Sequence, residues 1–277
     1  MKSLLVIGAG YIGAELIHQA DSAGWRTYAG TRSGEGGTLA MDVSALSSLD
    51  ALKAQIGTPN VIVHCASSGR GGEEAYRAVF EEGVKNIIAT FPESALIFVS
   101  SSSVYAQING ETVTEDSPAE PTRETGKILK RTEAQVIRHN GIVARLSGIY
   151  GPARSVLIKR LLKDEAQIEE DGRRIINQIH QYDGASALLH LAENYSELTG
   201  QVYNVSDSNP RSQKATYEGL CEKLTLPFPP VGQRDLNRKR GWTHKAVSNA
   251  KLLATGWEPN YPDFIEVSPQ IAESLEL

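Results

Sequence analysis

The sequence predicts an α/β fold, a doubly wound parallel sheet with a smaller C-terminal lobe, and three observations carry that prediction. Four apolar residues suited to a buried parallel strand, Leu4 to Ile7, run into Gly8-x-Gly10-x-x-Gly13, and Ile12, Leu16, Ile17 and Ala20 follow at helical spacing. Two further apolar runs, Val61 to Ala66 and Ala95 to Ser100, are separated by the helically spaced Tyr76, Val79, Phe80 and Val84. Such alternation of strand and helix builds parallel sheets. At 277 residues, 40 % hydrophobic and 22 % charged, the chain can bury one large core or two unequal lobes.

Composition narrows the partners. A formal net charge of -5 speaks against nucleic acid and membrane surfaces, because neither phosphate backbones nor anionic lipid attract an acidic chain. Cys65 and Cys221 are too few and too unpatterned for a disulfide framework or a metal site, so no metal is expected and a reducing compartment fits. The apolar run after Met1-Lys2-Ser3 is too short for a signal peptide or a membrane span, and the expected location is cytoplasmic.

The first strand, glycine turn and helix have the spacing of a Rossmann-type dinucleotide fingerprint. A pyrophosphate suits a helix N-terminus, whose free amides and dipole hold negative charge. Gly8 permits the tight turn, Gly10 lets the backbone approach the phosphates, Gly13 lets the helix pack close, and Tyr11 and Ile12 open the helix beside them. The bland alternative is a glycine-rich turn of an ordinary α/β domain. Arg26 to Thr31 reads as the second strand, ending in Thr31-Arg32-Ser33. An acid there would hold the ribose hydroxyls, whereas a basic residue accommodates a 2′-phosphate, so Arg32 points to NADP, with NAD the second option. Otherwise Arg32 is a solvated arginine in a turn.

Asp42-Val43 comes next, with Asp42 placed to face the adenine amine or to cap the helix that Leu46, Leu49, Leu52 and Ile56 mark. In the strand from Asn60 to Ala66, His64 reads as a satisfied core histidine, and Cys65, Ala66 and Ser67 leave the strand toward the cofactor. Ala95 to Ser100 opens into Ser101-Ser102-Ser103-Val104-Tyr105; ligands of open α/β sheets bind beyond the carboxyl ends of strands, so the serine run should face the cofactor crevice.

These stretches, with Arg145-Leu146-Ser147-Gly148-Ile149-Tyr150-Gly151-Pro152 and Ile176-Asn177-Gln178-Ile179-His180-Gln181-Tyr182-Asp183, stand in the order seen in extended short-chain dehydrogenase/reductases. The sequence resembles the NAD-dependent epimerase/dehydratase family over nearly its whole length, through Trp257 to Pro262. The resemblance implies a dinucleotide-binding domain at 1–152. It also makes 153–277 mainly a substrate-binding lobe, with some segments returning to the first domain, and the partner a small hydroxylated or sugar-nucleotide-like molecule.

Two departures stand out. The family's longer glycine spacing would put its first glycine at Ile7. Its catalytic helix carries a Tyr, a Lys four residues later and a Glu four beyond. Setting that Glu on Glu133 and the helix-opening Gly on Gly126 puts Thr125 where Tyr belongs and Leu129 where Lys belongs. No tyrosine lies between Tyr105 and Tyr150, and Thr122 to Leu129 resembles an atypical branch that lacks the catalytic tyrosine. A lysine ammonium brings a phenol with a pKa near 10 into range for proton exchange. A threonine hydroxyl does not ionise near neutrality. Ser101, four residues before Tyr105, matches the family's active-site Ser/Thr, so the candidate catalytic residues are Ser101, Tyr105 and Lys127. Tyr105 leads by its pKa, the alternative being a packed aromatic that shapes the loop. Two functions follow: an oxidoreductase or epimerase, or a non-catalytic NADP(H)-binding sensor or scaffold.

Past Pro152 a helix from Ser155 to Leu162 and a charged stretch from Lys163 to Arg174 begin the smaller lobe. Asp183 reads as the cap or first-turn charge of a helix carrying Ala185, Leu188, Leu189 and Ala192, and His180 as structural. Gln201 to Val205 reads as a strand and Lys214 to Leu224 as a helix. Arg234, Arg238, Lys239, Arg240, His244 and Lys245 surround Trp242, as a solvated loop or as a phosphate-binding edge of the substrate pocket. A homodimer is expected from the resemblance, through the helices at 126–139 and 76–89, with Leu129, Val136 and Ile137 as an apolar seam.

Overall fold

The structure, a computed structural model, describes every residue except Met1, Arg70, 235–241 and Leu277. Arg238, Lys239 and Arg240 of the basic run therefore lie outside the described residues. The chain forms two compact units, the first from Met1–Val104, Glu120–Arg145 and Ala185–Tyr203, the second from Tyr105–Ala119, Leu146–Gly184 and Asn204–Leu277. Residues 105–119 and 146–152 cluster with the second unit, and Ala185–Tyr203 clusters with the first.

In the first unit the apolar runs become β1 (Ser3–Ile7), β4 (Val61–His64) and β5 (Ala95–Ser101), joined by β2 (Arg26–Thr31) and the short β3 (Leu39–Ala40). Sheet order is Val202–Val205, Ile142–Leu146, β5, β4, β1, β2, β3. From β5 to β3 all pairs are parallel, with Leu4 opposite both Thr27 and Val61. Leu4, Leu5, Val6, Ile62, Val63 and Ile97 have almost no exposure, as expected of strands covered on both faces. The chain leaves β1 on one side for β2 and returns on the other as β4. That reversal opens a crevice beyond the carboxyl ends of β1 and β4.

Between the strands run α1 (Tyr11–Ser22), α2 (Leu46–Ile56), and α3 (Glu73–Tyr76), which passes through a π-turn at Arg77–Glu82 into α4 (Gly83–Thr90). After β6 (Glu111–Val113), a strand of the second unit, α5 (Glu124–Arg138) packs on β5, α3 and α4. Its apolar positions serve this packing. Leu129 and Val136, expected in a dimer seam, are buried in the chain's own core. Toward the outside, Arg131 pairs with the buried Glu81 and with Glu124, and Arg77 reaches the same two carboxylates.

The second unit has its own core of Tyr150, Ile158, Ile168, Tyr217, Leu220 and Phe264. Small two-stranded sheets surround it, Gly148–Tyr150 with Gln178–His180 and β6 with Lys245–Val247 among them. Ser155 caps the helix Val156–Leu162 by accepting from the Ile158 amide. Among the described residues no helix is long and apolar enough to cross a membrane. Nor does any group of three or more His, Cys, Asp or Glu side chains among them stand ready to hold a metal.

Candidate functional site

The glycine turn lies at the switch point of the sheet. Gly8 has φ 98°, a left-handed conformation, and a Cβ there would stand 2.4 Å from Ala66 Cα. A Cβ on Gly13 would stand 2.2 Å from the Gly8 carbonyl oxygen, so both glycines are demanded by close packing. Gly10 is different: nothing lies within 4 Å of its Cβ position. It is the N-cap of α1, no side chain caps the helix there, and its first turn holds no acid. The result is an open, electropositive backbone cradle that fits a pyrophosphate. Cys65 closes its floor, its thiol donating to the Gly8 carbonyl at 3.2 Å, and burial pushes that thiol up to about 12. It stays protonated and unreactive. Tyr11 is half-buried, Ile12 buried, Ala66 half-buried and Ser67 exposed.

At the end of β2 the Thr31 hydroxyl lies 2.5 Å from that of Thr38 and accepts from the Gly34 amide, which ties down the loop. Arg32 is exposed beside it. Asp42 accepts from the Ser44 amide and hydroxyl, an Asx turn ahead of α2; these bonds, aided by the Arg32 charge, hold its carboxyl below the usual range. Val43 is buried against Gly83, and its carbonyl accepts from Asn86.

At the end of β5, Ser101 is half-buried and accepts from the Ser103 amide. On α5, Thr125 is half-buried, Leu129 is 6 % exposed, and Lys127 is on the solvent side. Tyr105 belongs to the second unit, is 0 % exposed, and its hydroxyl lies 2.9 Å from both the Thr114 carbonyl and Asn204 Oδ1, which share its one proton. A phenol so enclosed and bonded behaves as a packing and hydrogen-bonding group, which corrects its expected lead as acid–base.

Beneath Ser101 lies a network that sequence reasoning missed. Glu133 accepts from the Ser100 hydroxyl at 2.7 Å, from Arg145 Nε and an Arg145 terminal nitrogen at 3.0 and 2.7 Å, and from Lys130 at 2.9 Å. Burial pushes its carboxyl up, but these donors outweigh burial and hold it below the ordinary range. The bonds fix the end of β5, and hence Ser101, against α5. Only the family position of Glu133 hinted at it.

The two histidines are structural. Burial pushes both down to about 4; His64 bonds to the Val79 carbonyl, and His180 lies 4.0 Å from the Tyr261 ring. Asp183 sits in the first turn of the helix Gln181–Glu193, and its carboxylate accepts the amides of Asn260 and Tyr261 at 2.8 Å.

Comparison with known proteins agrees with this architecture. Protein YeeZ of Escherichia coli K12 is 25 % identical over 281 residues, covering 95 % of this chain and 97 % of the relative. A structure from Methylobacillus flagellatus described as a NAD-dependent epimerase/dehydratase is 25 % identical with TM-score 0.81, covering 98 % of each chain. The fold also matches dTDP-glucose 4,6-dehydratase of Bacillus anthracis in complex with NAD, at 17 % identity and TM-score 0.81 over 99 % of this chain and 97 % of that one. The model of the NAD dependent epimerase/dehydratase family matches residues 4–206, strand β1 and the glycine cradle included. A nicotinamide dinucleotide is therefore the cofactor class, and the chain belongs to the NAD dependent epimerase/dehydratase family.

Proposed function

We propose that the protein is an NADP-dependent oxidoreductase or epimerase of the atypical short-chain dehydrogenase type, acting on a small hydroxylated or sugar-nucleotide-like substrate. The observation that carries this reading is the open face of Gly10 between two tightly packed glycines. The amides that open α1 would hold the phosphates, and Arg32 would meet a 2′-phosphate where no acid stands. The bound nicotinamide would supply hydride exchange. Ser101, fixed through the Ser100–Glu133 bond, would orient a substrate oxygen. With Thr125 and Leu129 at the tyrosine and lysine positions, proton transfer lacks its usual pair. Loss of a positioned acid–base costs about 10²–10⁴ in rate, so slow turnover is expected.

A charge-assisted bond from Arg32 to the 2′-phosphate contributes about 1.5–3 kcal/mol, or roughly ten- to hundredfold in affinity. Titration of NADPH and NADH followed by nicotinamide fluorescence tests this. Equal affinities, or an unchanged preference in Arg32→Ser, would refute the assignment. A second reading, a dinucleotide-binding sensor or scaffold without turnover, is favoured by the burial of Leu129 where the family's lysine belongs. Cofactor binding without hydride transfer across a wide substrate screen selects it. The two unpaired cysteines support a reducing, cytoplasmic setting. A homodimer through α5 and α3–α4 would present ion pairs at its interface instead of the apolar seam.

A further inference from the structure

Tyr76 carries a phenol that the first unit leaves open. It ends α3, the turn of helix that leads away from the crevice beyond β4, and it is half-buried there. The turn divides by face: Glu73, Glu74 and Arg77 are exposed, while the Tyr76 ring meets the buried Phe80 edge-on at 5.1 Å. Among the described residues none hydrogen-bonds the Tyr76 hydroxyl, and its oxygen is not sealed from solvent. The unit's other tyrosines are placed elsewhere. Tyr195 and Tyr203 donate to the Asn140 and Leu198 carbonyls, Tyr28 lies on β2 with Arg26 5.3 Å over its ring, and Tyr11 opens α1 at the glycine cradle.

Packing sets the height of Tyr76. β4 and β5 are parallel, so the helices that join them run back from the carboxyl ends of the strands. Phe80 lies 5.9 Å, ring to ring, from Phe98 of β5. Four residues of helix rise about 6 Å and two residues of strand about 6.6 Å, so Tyr76 stands level with Ser100, the residue before Ser101. The start of α5 borders the same rim: Arg77 pairs with Glu124 at 3.7 Å, and Glu124 precedes Thr125, where the family's phenol would stand. We propose that Tyr76 takes the part of that absent phenol and exchanges the reaction's proton. The inference rests on the enzyme reading above and adds the group that reading lacks. When bound, the nicotinamide supplies hydride to a carbonyl carbon. Tyr76 gives its proton to the carbonyl oxygen, so C=O becomes CH–OH, and the phenolate takes a proton back from water. The alternative is an aromatic that only packs on Phe80, and the two roles differ by one hydroxyl.

Tyr76→Phe removes that hydroxyl and keeps the ring, so melting temperature and NADPH affinity should stay unchanged. With DL-glyceraldehyde and 9,10-phenanthrenequinone as carbonyl probes, NADPH oxidation by the full chain should fall at least about a hundredfold in this variant. The decline of the unaltered protein's rate at alkaline pH, as the phenol loses its proton, should vanish with it. A fall of less than about threefold overturns the proposal. A second measurement needs no turnover. In protein carrying 13Cζ-labelled tyrosine, the resonance missing from Tyr76→Phe is followed by NMR through a pH titration, once with bound NADP⁺ and once with bound NADPH. The positive ring of NADP⁺ favours a nearby phenolate, so the resonance should titrate at lower pH with NADP⁺ than with NADPH. Identical titrations overturn the proposal whatever the rates. A shifted titration with no NADPH oxidation by either probe keeps Tyr76 beside the nicotinamide and refutes the enzyme reading, and with it the proton exchange; oxidation that survives in Tyr76→Phe refutes this inference alone.

Discussion

Glu133 and Asp207 are both carboxylates with almost no exposure, and they answer to pH in opposite directions. Glu133 is held below its ordinary range, so the stability it contributes is present above the unfolded value near 4.3 and is lost as pH falls through the folded one. Glu133→Ala takes the carboxylate away from buried Arg145 and should cost about 3–5 kcal/mol in urea unfolding at pH 7. Burial pushes Asp207 up to about 7, reinforced by Asp263 and Asp183 and opposed by the Asn209 amide and Arg211. Between about pH 4 and pH 7 the folded protein holds the extra proton, so stability falls as pH rises through that window. Asp207→Asn should therefore stabilise by about 1–3 kcal/mol at pH 8 and by close to nothing at pH 4. Equal effects at both pH values would refute it.

Among elements, the glycine turn separates packing from binding. Gly13→Ala drives a methyl into the Gly8 carbonyl, so melting temperature and dinucleotide affinity should fall together. Gly10→Ala meets no neighbour, so the fold should keep its melting temperature while affinity falls at least about tenfold, because the methyl takes the space of the phosphates. The turn was legible in the sequence because Gly8 and Gly13 stand where only glycine fits, and β1, β4 and β5 because buried parallel strands read as unbroken apolar runs. The Ser100–Glu133–Arg145 network was not legible, since it joins a strand end, a helix and another strand whose meeting no local pattern records. Tyr105 failed for a related reason: a tyrosine just past a strand end can turn to the crevice or to the second unit's core, and only the Asn204 and Thr114 acceptors decide.

For the whole molecule, light scattering at micromolar concentration should report about twice the 30.0 kDa chain mass if α5 and α3–α4 pair two copies. Because the outer face carries Arg77, Arg131 and Glu124, that association should weaken in high salt, and a salt-independent dimer would point to another surface. The fold class was legible from strand–helix alternation, while the pairing of Arg234 with Glu170 was not, because the two lie 64 residues apart. Successive segments of the chain alternate between the two units, three to each. During synthesis this ordering has a consequence. The sheet of the first unit receives Val202–Val205 only after most of the chain has left the ribosome, and the second unit waits for its final segment from Asn204 onward. A nascent chain stopped at residue 152 lacks that edge strand and nearly all of the second unit's core, so fragments cut there should be captured by chaperones or degraded, and the second unit should mature late.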